Sequence, residues 1–179
     1  MAKFTVTKLE AVVPQIETAV DLWFHDCDPI PIHTLTAAAH RIVLDLLEHQ
    51  GKTTLTFDTK YIKPGREQEY KRLMRKAETF FKHAKDDPDG RLKFNPESTE
   101  TYLFTTIIGY KELIHRKGTP LMELFSFYFC LRHPDLLIRP LIPESEKLEV
   151  QKLVDRPRTE FFNEFLPLFV SPSARRLRR

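Results

Sequence analysis

An all-α bundle is the fold this sequence predicts, with about five long helices and a smaller C-terminal helical pair. Three observations carry that reading. Apolar residues recur at three- and four-residue steps in successive stretches, and at 100° per residue each set falls on one helix face. Proline and glycine stand between those stretches, where helices start and stop. A hydrophobic fraction of 41% beside 30% charged residues is that of a chain able to bury a core, not of a disordered one.

Taken in order, Leu9, Val12, Val13, Ile16, Ala19, Val20, Trp23 and Phe24 trace the first helix, which either begins near Pro14 or kinks there. Asp26 to Pro31 breaks the pattern. A second helix follows from about Pro31 to Gln50, with Gly51 as its stop and Leu35, Ala39, Ile42, Val43, Leu46 and Leu47 as its core face. Residues 52–63 are threonine-rich and lack helical period, which suits a loop or short extended segment. Pro64 opens the third helix, whose stripe of Tyr70, Leu73, Met74, Ala77, Phe80, Phe81 and Ala84 is the cleanest in the chain and is expected to face the core. It ends in the turn Asp86 to Gly90.

Asn95-Pro96 caps a fourth helix marked by Tyr102, Leu103, Thr106, Ile107, Tyr110, Leu113 and Ile114. Gly118-Thr119-Pro120 repeats the punctuation, and the fifth helix, LMELFSFYFCLRH, is apolar almost all round, as a central or interfacial helix would be. Glu144 to Val154 and Arg158 to Leu166 form the C-terminal pair, the latter carrying Phe161, Phe162 and Phe165. One domain spans residues 1–170, and residues 171–179 form a basic, disordered tail without an apolar face.

The tail also explains the charge. The chain has 28 Lys and Arg against 25 Asp and Glu, but Arg175, Arg176, Arg178 and Arg179 lie in the last five residues, so the remainder is one charge negative. An extended basic footprint for nucleic acid is therefore missing from the body. No apolar run approaches the length of a membrane span, and the first residues have no signal-peptide core. Cys27 and Cys130 are too few for a disulfide framework, which points to a cytoplasmic setting.

The candidate polar site is His33, His40, Arg75, Lys82 and His83. His33 and His40 share one edge of the second helix but lie seven residues apart, too far to chelate one metal, and read best as hydrogen-bonded boundary residues at a helix interface. Arg75, Lys82 and His83 belong to the basic face of the third helix. Glu112 and His115 form an ExxH pair with no second copy, and Asp87-Pro88-Asp89-Gly90 fails as a calcium loop because Lys85 and Pro96 fall where carboxylates belong. Phosphate-cradling and nucleophile-elbow motifs are absent. No metal or cofactor is expected.

Two blocks carry a family likeness. IHTLTAAAH, Ile32 to His40, and FFKHAKDDPD, Phe80 to Asp89, resemble segments of uncharacterised bacterial all-helical proteins of similar length, a family that implies no known activity. Thr79 stands where that family's pattern has asparagine. More distantly the chain resembles HEPN-type helical domains, several of which are ribonucleases or toxins with an arginine four to six residues ahead of a histidine. Here Arg41 precedes His49 and Arg75 precedes His83 with seven residues between, so the catalytic pair is not carried over. The leading expectation is a binding or assembly protein without catalysis of its own, a homo-oligomer or homodimer, or one with a protein partner. The alternative is a HEPN-like RNA-binding protein in which Arg75 and Lys82 contact phosphate and His83 acts as acid or base. Deleting residues 171–179 should leave the thermal midpoint unchanged; a large drop would show that the tail docks on the fold.

Overall fold

A computed structural model describes residues 3–52, 67–85, 87–134 and 143–170. Among them are seven α-helices and no strand: α1 Lys8–Phe24, α2 Pro29–His49, α3 Glu67–Lys82, α4 Glu97–Ile114, α5 Pro120–Arg132, α6 Lys147–Val154 and α7 Arg158–Val170, with a short 3-10 turn at Glu144–Glu146 before α6. The all-α bundle is the observed architecture. The expectations for residues 53–66, for most of the Pro134 to Pro143 break and for the tail lie outside the described residues.

The local causes of each boundary are visible. α1 begins before Pro14, because Thr7 caps it: the Thr7 hydroxyl accepts from the Glu10 amide at 3.2 Å while the Glu10 carboxylate accepts from the Thr7 amide at 2.8 Å. The helix then runs through Pro14. Asp28 caps α2 by accepting from the Ile30 amide at 2.8 Å, so the helix starts two residues earlier than its apolar pattern does. Gly51, at φ +70°, ends the same helix in the left-handed conformation that glycine adopts without strain. At the start of α4, the Asn95 side-chain oxygen accepts from the Glu97 amide at 3.1 Å.

Among the described residues the α1–α2 hairpin is the most extensive helix contact, and α4 packs on both α2 and α1. α2 is consequently buried over one broad face: Ile32, Thr36, Ala37, Ala39, Val43 and Leu47 are all enclosed, whereas Leu35, Ile42 and Leu46 of the expected core face are only partly so. Gly109 on α4 permits the close approach, since a Cβ there would lie 2.9 Å from Val43 Cγ1.

α5 supplies the floor of the core. Trp23 and Phe24 from α1 meet Phe125 and Tyr128 from α5 edge to face, with Trp23 centroids 5.0 Å from Phe125 and 5.2 Å from Tyr128. From the other side α7 adds Phe161, whose ring is 4.7 Å from Tyr128. Phe127 projects outward, 37% exposed, yet even it has Phe161, Phe165 and Phe169 within 6.1 Å. Much of the aromatic surface that suggested a second copy is thus covered within the chain, by α7, which continues past its expected end through Pro167.

The third helix is expected to turn its stripe to the core, and the stripe residues whose burial is described are at most partly covered. α3 packs on α2, and Ala77, Phe80 and Phe81 are half-buried while Ala84, beyond the helix end, is exposed. A clean apolar face reports that one side is covered, not how deeply.

Gly109→Ala is expected to destabilise the fold despite the better helix propensity of alanine, because the new methyl meets a stiff β-branched side chain in a closed interface. Overpacking of this kind costs about 1–3 kcal/mol against roughly 1 kcal/mol gained from removing a helical glycine. Chemical denaturation showing a stabilised variant would mean that α2 and α4 can separate without cost.

Candidate functional site

Two imidazoles on α2 face two hydroxyls on α4. His33 Nδ1 lies 3.0 Å from Thr99 Oγ1, and His40 Nδ1 lies 2.9 Å from Thr106 Oγ1. Each pair is separated by the same 66 residues, so a seven-residue step on α2 matches a seven-residue step on α4 and the two helices run parallel through this contact. The Tyr102 ring stands between, with its centroid 4.5 Å from that of His40 and 5.4 Å from that of His33. Both histidines are fully interior, at 3% and 2% exposure, which corrects their reading as boundary residues.

Protonation follows from the partners. The Thr106 hydroxyl donates its one proton to the Tyr102 carbonyl at 2.7 Å, so it can only accept from His40, which must carry its proton on Nδ1. Burial, with the Arg41 guanidinium adding to it, pushes the His40 pKa down to about 3. His33 is pushed down too, chiefly by burial; the Glu78 carboxylate opposes this and the Lys82 ammonium adds to it. His33 is walled by Phe81 and Phe94 with ring centroids at 5.8 and 5.2 Å. Both imidazoles are held towards the neutral form, and His40, with its pKa near 3, stays uncharged near neutral pH.

The other expected site residues sit apart from this row. Arg75 and His83 are exposed, and Lys82 is paired with Glu78 at 2.8 Å on the rim of the His33 enclosure. The His83 amide donates to the Thr79 carbonyl at 3.0 Å in the last turn of α3. The ExxH pair is divided in use: Lys52 Nζ donates to His115 Nε2 at 2.9 Å and to the Glu112 carbonyl at 3.2 Å. Among the described residues no three His, Cys, Asp or Glu side chains gather as a metal site. Cys130 is half-buried with its thiol pKa raised by burial, and Cys27 is exposed.

What the sequence reading missed is a cleft of about 940 Å³ at one end of the bundle, where the last residues of α1, α5 and α6 meet the first residues of α2, α4 and α7. Its wall holds a buried carboxylate. Glu100, 5% exposed, accepts from His133 Nε2 at 3.1 Å and is 3.5 Å from Arg132 Nη1. Across the cleft Arg158 lies 4.3 Å over the Trp23 ring and is ion-paired with Asp26. Tyr128 lines the interior and ties α6 down by donating to the Val154 carbonyl at 3.0 Å. Thr99, the partner of His33, also lines the cleft, so the buried row and the open site share the first turn of α4.

A signal for Glu100 was present. It precedes Leu103, Ile107 and Tyr110 by three, seven and ten residues, placing a carboxylate on the apolar stripe of α4. Its partners at Arg132 and His133 come from another helix, and no spacing rule reaches them.

Comparison with protein-family profiles, curated proteins and solved structures finds no match for this chain. Among the described residues no helix is long and apolar enough to cross a membrane.

Because the folded pKa of His40 lies below the unfolded value of 6.5, the stability of the neutral, buried form is fully present above that value and is lost as pH falls from there towards about 3. The loss should approach about 1.4 kcal/mol per pH unit for each such histidine below roughly pH 6. Urea denaturation across this range should show the slope, reduced in His40→Asn, whose amide can still donate to Thr106. A flat profile in the wild type would mean that these imidazoles are solvated.

Proposed function

We propose that the chain is a cytoplasmic binding protein without catalysis of its own, and that its ligand is a small polar molecule held in the end cleft. The observation that carries this reading is the Glu100 carboxylate, buried in the cleft wall and met by His133 and Arg132 from α5. Burying a carboxylate costs desolvation that partners as exposed as Arg132 and His133 offset only in part. A pair of this kind beside a cleft is more economically read as part of a recognition surface. The remaining lining supports binding over chemistry: among the described residues the Cys27 thiol donates to the His25 carbonyl at 3.8 Å, a contact that does not activate it.

The apolar side chains exposed for a homo-oligomer to cover include Phe4, Leu148, Leu168 and Val170. The alternative function, HEPN-like action on RNA, rests on the exposed row that contains Arg75 and His83.

Thermal-shift screening of a metabolite library separates the readings. Cleft ligands should raise the midpoint of the wild type and of a Lys82→Ala/His83→Ala double variant, but not of His133→Ala. Ligands that stabilise the His133→Ala variant equally would place binding elsewhere. Salt-dependent RNA binding that disappears in the Lys82→Ala/His83→Ala variant would overturn the proposal in favour of the alternative.

A further inference from the structure

Which class of molecule the cleft takes can be argued from the arrangement of its charges, on the reading that the cleft is the binding site. Three arginines line it, Arg132, Arg156 and Arg158, against four carboxylates that include Asp26 and Glu100. The signs are not segregated. Arg158 is held on Asp26 at the α1 end, Arg132 and His133 on Glu100 at the α4 end, and Arg156 is drawn outward to Glu164 at 2.6 Å. A polyphosphate entering here would meet the carboxylates, and a polyamine would meet the guanidiniums. A molecule with one anionic and one cationic end meets neither objection.

Size narrows the class further. Clefts of roughly 300–1,000 Å³ enclose ligands of several hundred daltons, and a free amino acid would leave most of this one to water. We infer that the cleft recognises a short zwitterionic peptide of a few residues, its terminal carboxylate taken by Arg158 and its terminal ammonium by Glu100. The chemistry suits each group. The Arg158 guanidinium is pre-oriented by stacking on Trp23 and offers a planar fork to a carboxylate. Among the described residues Glu100 Oε2 is met by Arg132 at 3.5 Å, longer than a good charge-assisted hydrogen bond, which leaves acceptor capacity for an ammonium. Ser, Thr, Asn and Lys side chains are nearly absent from the lining; Thr99 is the exception. Terminal charges, not side-chain identity, would then dominate recognition.

Trp23 is the single tryptophan of the chain and lies in the cleft wall beneath Arg158, so its emission reports the site directly. The probes are trialanine, its N-acetylated form, its C-amidated form, AMP and spermidine, titrated in parallel by fluorescence and calorimetry. Trialanine should bind, and blocking either terminus should weaken it at least about tenfold, the scale of one lost charged hydrogen bond. Arg158→Lys, which keeps the charge and loses the fork, should reproduce the effect of C-amidation. Glu100→Gln should reproduce that of N-acetylation, with circular dichroism confirming that both variants fold. Binding of AMP or spermidine in place of the peptide would overturn the ligand class and leave the cleft reading standing. Peptide binding indifferent to both end groups would also overturn it. No response to any probe at millimolar concentration would overturn the peptide proposal, and library hits that depend on His133 would show whether the broader reading survives.

Discussion

The constraint on which the bundle depends is the close packing of α2 against both α1 and α4. A helix with a broad buried face shared between two neighbours has little room for large side chains there, and Ala37 and Ala39 are fully buried while Gly109 stands opposite Val43. The same enclosure removes His33 and His40 from water, and an imidazole so placed needs a partner. Thr99 and Thr106 supply it at matching seven-residue steps. Polar pairs at two points along a parallel interface fix its register, because sliding α4 by one turn would break both bonds and leave buried polar atoms unmet.

Legibility in the sequence divided along the line between local and non-local causes. The helices were readable because their apolar steps, their prolines and the glycine at position 51 act within a few residues. Burial depth was not. The stripe on α3 is more regular than that on α2, yet α2 has the broad buried face while Ala77, Phe80 and Phe81 of α3 are half-buried, since depth depends on how many neighbours a helix acquires. The histidines were found by type and spacing, but their full burial followed from α4, which lies 66 residues away in the chain at each bond. Glu100, Arg132, His133 and Arg158 come together only at the bundle end, where α4, α5 and α7 meet. Such convergence is a property of topology, and no window of sequence contains it.

Two kinds of polar residue therefore coexist in one interior. His33 and His40 are neutral and spent on structure, with their pKa values pushed down by burial. Glu100 is met by the Arg132 guanidinium and the His133 imidazole in the wall of an open cleft. Thr99 and Glu100 are adjacent, so the first turn of α4 joins the two. A change in how that turn sits would be felt by both.

The cover that α7 places over α5 bears on how the chain comes off the ribosome. Domains are assembled from the N-terminus as synthesis proceeds at about 5–20 residues per second. α5, with Phe127 and Tyr128, is made before Phe161, Phe165 and Phe169, the rings that pack against it. For that interval α1 can cover one side of α5, but the side that α7 will close has nothing yet translated to shield it, and it is in those moments that a cell's chaperones would have most reason to hold it.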